Sequence, residues 1–201
     1  MKSTRTYTMS ARADALAETR DRIARSAIQL FFDSWYEDVT LAAIAAAAGV
    51  SHQTVLNHFE SKEGVALAAM EIVKAETSSR RSEAPSDDVA GAVHVLVDEY
   101  ERFGDANVRW AVSSERLGRL APLLDEGRAS HQQWLRTVFA FGLPRQAAER
   151  RRVINALHAA TDVYTWKLLR RDLGLGRAET ERTMVELVEG VLSDNDPGGI
   201  Q

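Results

Sequence analysis

The chain has 201 residues, with 25 Lys plus Arg against 29 Asp plus Glu, a net charge of −4, and no cysteine. The missing thiols exclude disulfides, thiolate zinc sites, iron–sulfur clusters, c-type haem attachment and cysteine nucleophiles, and they suit a reducing cytoplasm. Taken alone, the acidic balance argues against a nucleic-acid partner, whose usual footprint is basic.

Apolar periodicity predicts an all-α fold of about nine helices, with no period-two strand. The longest apolar run covers ten residues, 41–50, against the roughly 20 that a membrane span needs. No signal-peptide core follows the N-terminus, so the expectation is a soluble chain with no membrane partner. A first helix is predicted over 10–34, with Ile23, Ala27, Leu30 and Phe31 on one stripe. Thr40 is placed to cap a second, short helix that turns Leu41, Ile44, Ala45 and Ala48 inward. Gly49 and Val50 make a turn, Ser51 caps a third helix ending at Phe59, and Ser61 caps a fourth. The polar, proline-bearing stretch 77–88 marks a boundary between an N-terminal domain, 1–76, and a C-terminal domain, 77–201.

Beyond it, Ser86, Asp87 and Asp88 open a fifth helix, their acids complementing the helix dipole. Gly104 then reads as a helix end, and further helices are predicted over 106–117, 122–141, 144–173 and 178–193. The residues 194–201 are expected to form a disordered tail.

The segment 41–59, LAAIAAAAGVSHQTVLNHF, carries the chemistry. Two short helices joined by a glycine-containing turn form a helix-turn-helix pattern, and the alanines allow close crossing. Stepping 100° per residue from Ser51 puts Val55 and Phe59 within about 40° of each other, facing the core. Gln53 and Asn57 then point outward, flanked by Thr54 and Leu56. Amides pair bidentately with adenine N6 and N7, and the threonine methyl meets a thymine methyl. The same side chains also suit an ordinary solvated surface.

Over residues 20–65 the chain resembles the DNA-binding domain of the TetR family of transcriptional regulators. The matching residues are Arg22-Ile23, Ala27, Leu30-Phe31, Tyr36, Val39-Thr40, Ile44 and Ala45. They continue through Ala48-Gly49-Val50-Ser51, Thr54, His58-Phe59 and Ser61-Lys62-Glu63. The rest of the chain resembles the family only in layout, a helical ligand-binding and dimerising half. The resemblance implies that Thr40, His58 and Lys62 touch the phosphate backbone of double-stranded DNA. His52, Gln53, Thr54 and Asn57 would face its bases. Two positions depart from the family pattern. Leu56 replaces a usual tyrosine and has no hydroxyl for a phosphate, and Trp35 replaces a glycine after the first helix.

The charge is unevenly spread. Lys2, Arg5 and Arg12 give +3 with no acid over the first twelve residues. Residues 1–75 hold eight basic and nine acidic side chains. The basic arm reads either as a minor-groove or backbone contact or as a solubilising tail.

In the C-terminal half, apolar stripes on the eighth and ninth predicted helices, 144–173 and 178–193, suit a homodimer interface. It would involve Leu157, Tyr164, Met184, Leu187, Val188 and Val191. His94, Trp110, Trp134, His158 and Tyr164 are candidates to line a pocket for an unknown small apolar or aromatic effector. His94/Asp98 and His158/Asp162 share i, i+4 spacing and suit a metal only if their helices abut, so no metal and no cofactor is expected. Arg145 and Arg150 to Arg152 form a basic cluster, read as a solvated face or an intersubunit contact. The expected function is a ligand-responsive repressor that binds a palindromic operator as a dimer. The alternative is a small all-helical enzyme or carrier, against which stands the absence of phosphate-loop, G-x-S-x-G or H-E-x-x-H motifs.

Overall fold

The computed structural model describes residues 4–113 and 118–193, with side chains from residue 13 onward except that of Arg119. No strand occurs among the described residues. The helices are α1 (Thr4–Asp33), α2 (Leu41–Ala48), α3 (His52–Phe59), α4 (Lys62–Ser82) and α5 (Val89–Val112). They continue as α6 (Ala121–Val138), α7 (Ala147–Thr161), α8 (Val163–Lys167) and α9 (Arg177–Ser193). Packing divides the chain into two compact units, 1–75 and 76–201.

The first unit buries Ile23, Ala27 and Phe31 of α1, Ile44, Ala45 and Ala48 of α2, Val55 and Phe59 of α3, and Val65 of α4. Alternation of these side chains at helical spacing places one stripe of each helix on a shared core. The second unit buries Leu96, Val97 and Tyr100 of α5 with Leu135 and Val138 of α6, Ile154 and Leu157 of α7, Trp166 of α8, and Met184 and Val188 of α9.

Four expectations change. α1 starts at Thr4 rather than Ser10; Lys2 and the side chains of Arg5 and Arg12 lie outside the described residues, as does the tail. The break predicted at Gly104 is absent, and α5 runs through it without interruption. A Cβ at Gly104 would lie 2.4–2.8 Å from the ring of Trp166, so this glycine admits a buried indole instead of ending a helix. The seventh predicted helix ends early, at Val138, and a 3₁₀ turn (Ala140–Gly142) carries Phe141.

The helix predicted over 144–173 is broken at Asp162, whose backbone is extended (φ −70°, ψ 151°). There Thr161 Oγ1 donates back to the Leu157 carbonyl at 2.7 Å, and the Asp162 carboxylate accepts from the Tyr164 N–H at 2.8 Å. The first contact closes one helix and the second caps the next. A π-helical turn (Leu168–Asp172) follows α8.

Candidate nucleic-acid interface

The helix-turn-helix of the first unit, here called the reading head after its expected role, is built by caps and close packing. Thr40 Oγ1 accepts from the Ala43 N–H at 3.1 Å and starts α2. Gly49, at φ +65°, ends it in the left-handed region that glycine adopts without strain. Ser51 Oγ accepts from the Thr54 N–H at 3.0 Å and starts α3. With Val55 and Phe59 buried, the opposite face of α3 presents His52, Gln53 and Asn57 to solvent. Thr54 is half-buried, its hydroxyl 2.8 Å from Ser51 Oγ, so its methyl is the part left to meet a ligand.

The far end of α3 is held just as firmly. The Arg20 guanidinium donates to the His58 carbonyl and lies 4.1 Å from the centre of the Phe59 ring. Glu60 adopts φ +63°, and a Cβ on Gly64 would come within 2.3 Å of the Phe59 carbonyl oxygen. Only a glycine lets the first turn of α4 approach α3 this closely. Arg20 was not among the sequence candidates. Its signal was present, because it lies three and four residues before the buried Ile23 and Ala24, at the end of the apolar stripe.

Lys62 Nζ donates to the carbonyls of Tyr36 (2.8 Å) and Glu37 (3.2 Å) and sits 4.4 Å from the centre of the Tyr36 ring. An ammonium has three N–H donors, so one remains for a phosphate oxygen. Partial burial lowers its pKa, opposed by Glu37 and Asp38. Tyr36 stacks on Phe31 at 5.8 Å, while Trp35 starts the intervening 3₁₀ turn and is 40% exposed. Leu56 and His58 are half-buried.

Residues 23–69 match the family model described as bacterial regulatory proteins, tetR family. By this match residues 23–69 are similar to the N-terminal domain of the TetR family. A stretch of 58 residues is 41% identical to the HTH-type transcriptional regulator TcmR of Streptomyces glaucescens, covering 29% of this chain and 26% of that one. The chain thus spans about a quarter of that relative's length. Two solved structures share the fold over nearly the whole chain. A transcriptional regulator from Rhodococcus sp. Rha1 superposes with a TM-score of 0.68 at 18% identity, covering 88% of this chain and 97% of its own. A Mesorhizobium loti chain described as a TetR-family transcriptional regulator gives 0.62 at 19%, covering 89% and 97%.

Outside the TetR-type head, the second unit holds a buried polar network. The Arg81 guanidinium binds Glu99 through two bonds, 2.7 and 2.8 Å, and reaches His131 Nδ1 at 3.0 Å. His131 Nε2 lies 2.9 Å from Thr161 Oγ1, and the Tyr100 hydroxyl donates to the Thr161 carbonyl at 2.9 Å. Trp134 donates to the Arg81 carbonyl and its ring stacks on His131. The imidazoles of His131 and His158 meet edge-on at 4.9 Å. Burial, then the Arg81 cation and His158, push the pKa of His131 down to about 3 against the opposing pull of Asp162.

The predicted pocket residues do not all converge. Trp134 and His158 come together around His131, which was not among the pocket candidates. Trp110 is buried near the end of α5, about 15 Å along the helix from Tyr100. His94 is exposed and bonds Glu181 at 3.0 Å, and Tyr164 is 46% exposed. The two His/Asp pairs stand apart: Asp98 is engaged by Arg177, and Asp162 by His158 at 3.3 Å. Among the described residues no group of three His, Asp or Glu is arranged to hold a metal.

The predicted dimer residues divide as well. Leu157, Met184 and Val188 are fully buried in the core of their own unit, which leaves no area for a partner. Tyr164 and Leu187 remain exposed and Val191 half-buried. The arginines at 145, 150, 151 and 152 are exposed, with Arg150 donating to the carbonyls of Pro144 and Arg145. No helix of the described residues is long and apolar enough to cross a membrane.

Proposed function

We propose that the chain is a cytoplasmic DNA-binding transcriptional regulator, a dimer that represses at a palindromic operator and is released by a small apolar or aromatic effector. The observation that carries this reading is the outer face of α3, polar and exposed on a helix fixed at both ends. His52, Gln53 and Asn57, with the Thr54 methyl, meet base edges in the major groove. Thr40, His58 and Lys62 hold the backbone, as phosphate contacts must for register. A dimer sets two such helices one DNA turn apart, about 34–36 Å. Tyr164 and Leu187, joined by Val191, supply apolar surface for the twin; Leu168 lies four residues from Tyr164 and extends the same face.

The effector engages the second unit near Trp134 and His158. It acts by binding the DNA-competent and DNA-incompetent states with different affinity, since equal affinity shifts nothing. Arg81, near the end of α4, belongs to the buried network beside Trp134 and His158. The similarity of residues 23–69 to a family of regulatory proteins weighs against the enzyme or carrier alternative.

The deciding experiment is a mobility shift with DNA flanking the chain's own gene. Retardation that one thermal-shift hit reverses supports the whole reading. Retardation that no ligand reverses removes the effector, and no retardation at low salt removes the DNA.

A further inference from the structure

The turn after α8 places a leucine where a regular helix would not. From Leu168 to Asp172 the chain is π-helical, and the Leu173 N–H donates to the Leu168 carbonyl, five residues back, at 2.9 Å. Such turns are rare and collect at functional sites. In an unbroken α-helix Leu173 would stand about 140° round from Leu168, at about 100° per residue. That direction lies between Leu169 and Trp166, at about 100° and about 160°, and both of these are buried. The wider turn brings Leu173 beneath Leu168 instead, where the fourth residue on lies in an α-helix. Leu173 is 62% exposed, more than any other large apolar side chain of the described residues. A leucine that would have continued the buried stripe is thus turned out into water, against the hydrophobic effect.

Tyr164, Leu168 and Leu173 make one exposed apolar ridge, with Tyr164 and Leu168 four residues apart on the same face. The charges of this segment are spent inside the chain. Arg170 binds Glu101 at 2.8 Å, Arg171 binds Asp105 at 3.0 Å, and Lys167 binds Asp172 at 2.7 Å. The ridge therefore offers apolar area rimmed by paired ions, which suits neither DNA nor a charged ligand. A second copy of this chain carries the same ridge with its ions paired in the same way, and a two-fold contact sets one such patch against the other. The reading head gives the second copy a purpose: its recognition helix has eight residues, and helix-turn-helix proteins use two such helices on two half-sites. Among the described residues of the second unit, the other exposed large apolar side chains are Val112, Phe141 and Leu187, so no other single segment offers as much.

We propose that the π-turn is a dimerisation device: it turns Leu173 out of its own core and presents it, beside Tyr164 and Leu168, as an anchor for the apolar face of a second copy. The proposal rests on the dimer reading above and adds to it the anchor and the turn that exposes it.

The test is analytical ultracentrifugation of the full chain across a dilution series, joined to a fluorescent probe at the anchor. The native chain has no cysteine, so Leu173→Cys carries acrylodan, a polarity-sensitive dye, at that position alone. The expected result is a dimer whose dissociation constant rises roughly 100-fold or more in Leu173→Lys, because each copy loses a leucine anchor. Lysine suits the C-terminal end of a helix, and an unchanged circular dichroism spectrum and melting temperature under monomer conditions check the fold. Val112→Lys, at a comparably exposed apolar residue outside the ridge, leaves the constant in place. The dye emission moves to the blue as the concentration rises through the native dissociation constant.

A dimer that Leu173→Lys leaves intact overturns the anchor while the dimer reading stands, and so does a dye that stays in water in the dimer. Equal weakening by Leu173→Lys and Val112→Lys means that added charge rather than a lost anchor opposes association, and it overturns the anchor too. A native chain that stays monomeric both free and on DNA overturns the dimer reading and the anchor with it.

Discussion

His131 should make the second unit acid-labile, and its bonding pattern says why. Its Nδ1 faces an Arg81 N–H, so that nitrogen is the acceptor and the ring proton sits on Nε2, toward Thr161. The Thr161 hydroxyl spends its own proton on the Leu157 carbonyl. Protonating His131 would bring a second N–H against the guanidinium inside a site that excludes water. The charged and titratable groups around it are Arg81 from α4, Glu99 and Tyr100 from α5, His158 from α7, and Asp162 just beyond it. With a folded pKa of about 3 against an unfolded value of about 6.5, the unfolded chain binds the extra proton throughout that interval. Stability therefore falls as the pH drops from about 6.5 toward 3, by up to about 1.4 kcal/mol per unit.

Between pH 7 and 5 the loss from this one group is about 2 kcal/mol. Asp162 does not mask it. Burial raises its pKa, but the bonds from His158 and the Tyr164 N–H outweigh burial and leave it lowered, so its contribution fades only below about pH 4. The assay is denaturant unfolding at pH 7, 6 and 5, followed by tryptophan fluorescence, on the native chain and on His131→Gln. Glutamine keeps an acceptor for Arg81 and a donor for Thr161 but cannot titrate. The native chain should lose about 2 kcal/mol more than the variant over that range. Parallel losses in the two proteins would refute the reasoning.

Gly104→Ala should destabilise the second unit by about 1–3 kcal/mol through overpacking against Trp166, despite the roughly 1 kcal/mol alanine gains in a helix; a raised melting temperature contradicts the packing account. Arg20→Ala should free the end of α3 and weaken DNA binding about fivefold, the equivalent of about 1 kcal/mol, at all sequences alike; anisotropy on selected and unselected duplexes checks this, and a changed base preference would make Arg20 a direct reader. The affinity should fall with log salt at a slope of only about −2 to −4 for a dimer, at about 0.9 per neutralised phosphate; a slope steeper than about −8 would mean that many more cations reach the backbone.

Helix periodicity made most of the fold legible, because a buried stripe repeats with the helix and leaves its mark residue by residue. Caps did the same for the reading head: Thr40 and Ser51 start α2 and α3, Gly49 ends α2, and each is a local device of the residue type its place requires. The errors have a common cause in contacts between residues distant in sequence. Gly104 is indistinguishable from a C-cap until Trp166, 62 positions later, is found lying on it. Thr161 and Asp162 break a helix because Thr161 is claimed by His131 and Tyr100 from other helices. Leu157, Met184 and Val188 belong to an amphipathic stripe, and a stripe alone does not tell a chain's own core from a partner's. The exposed residues of α3 were legible as a face, but the bond between Gln53 and Asn57 is a matter of rotamers.

The net charge of −4 takes on a different meaning once the cations are located. In the first unit Arg20 is occupied by the α3 terminus, Arg25 by Asp21 at 2.8 Å, and Lys62 by two carbonyls and a ring. These side chains build and hold the reading head before they meet any phosphate, so counting them as electrostatic footprint overstates the attraction to DNA. Non-specific affinity scales with the cations that reach the backbone, whereas discrimination scales with the edge contacts of α3. On the proposed reading, a chain in which Arg20, Arg25 and Lys62 are so engaged depends on the amides of α3: it gives up part of the general adhesion to DNA and keeps the part of the binding energy that distinguishes one sequence from another.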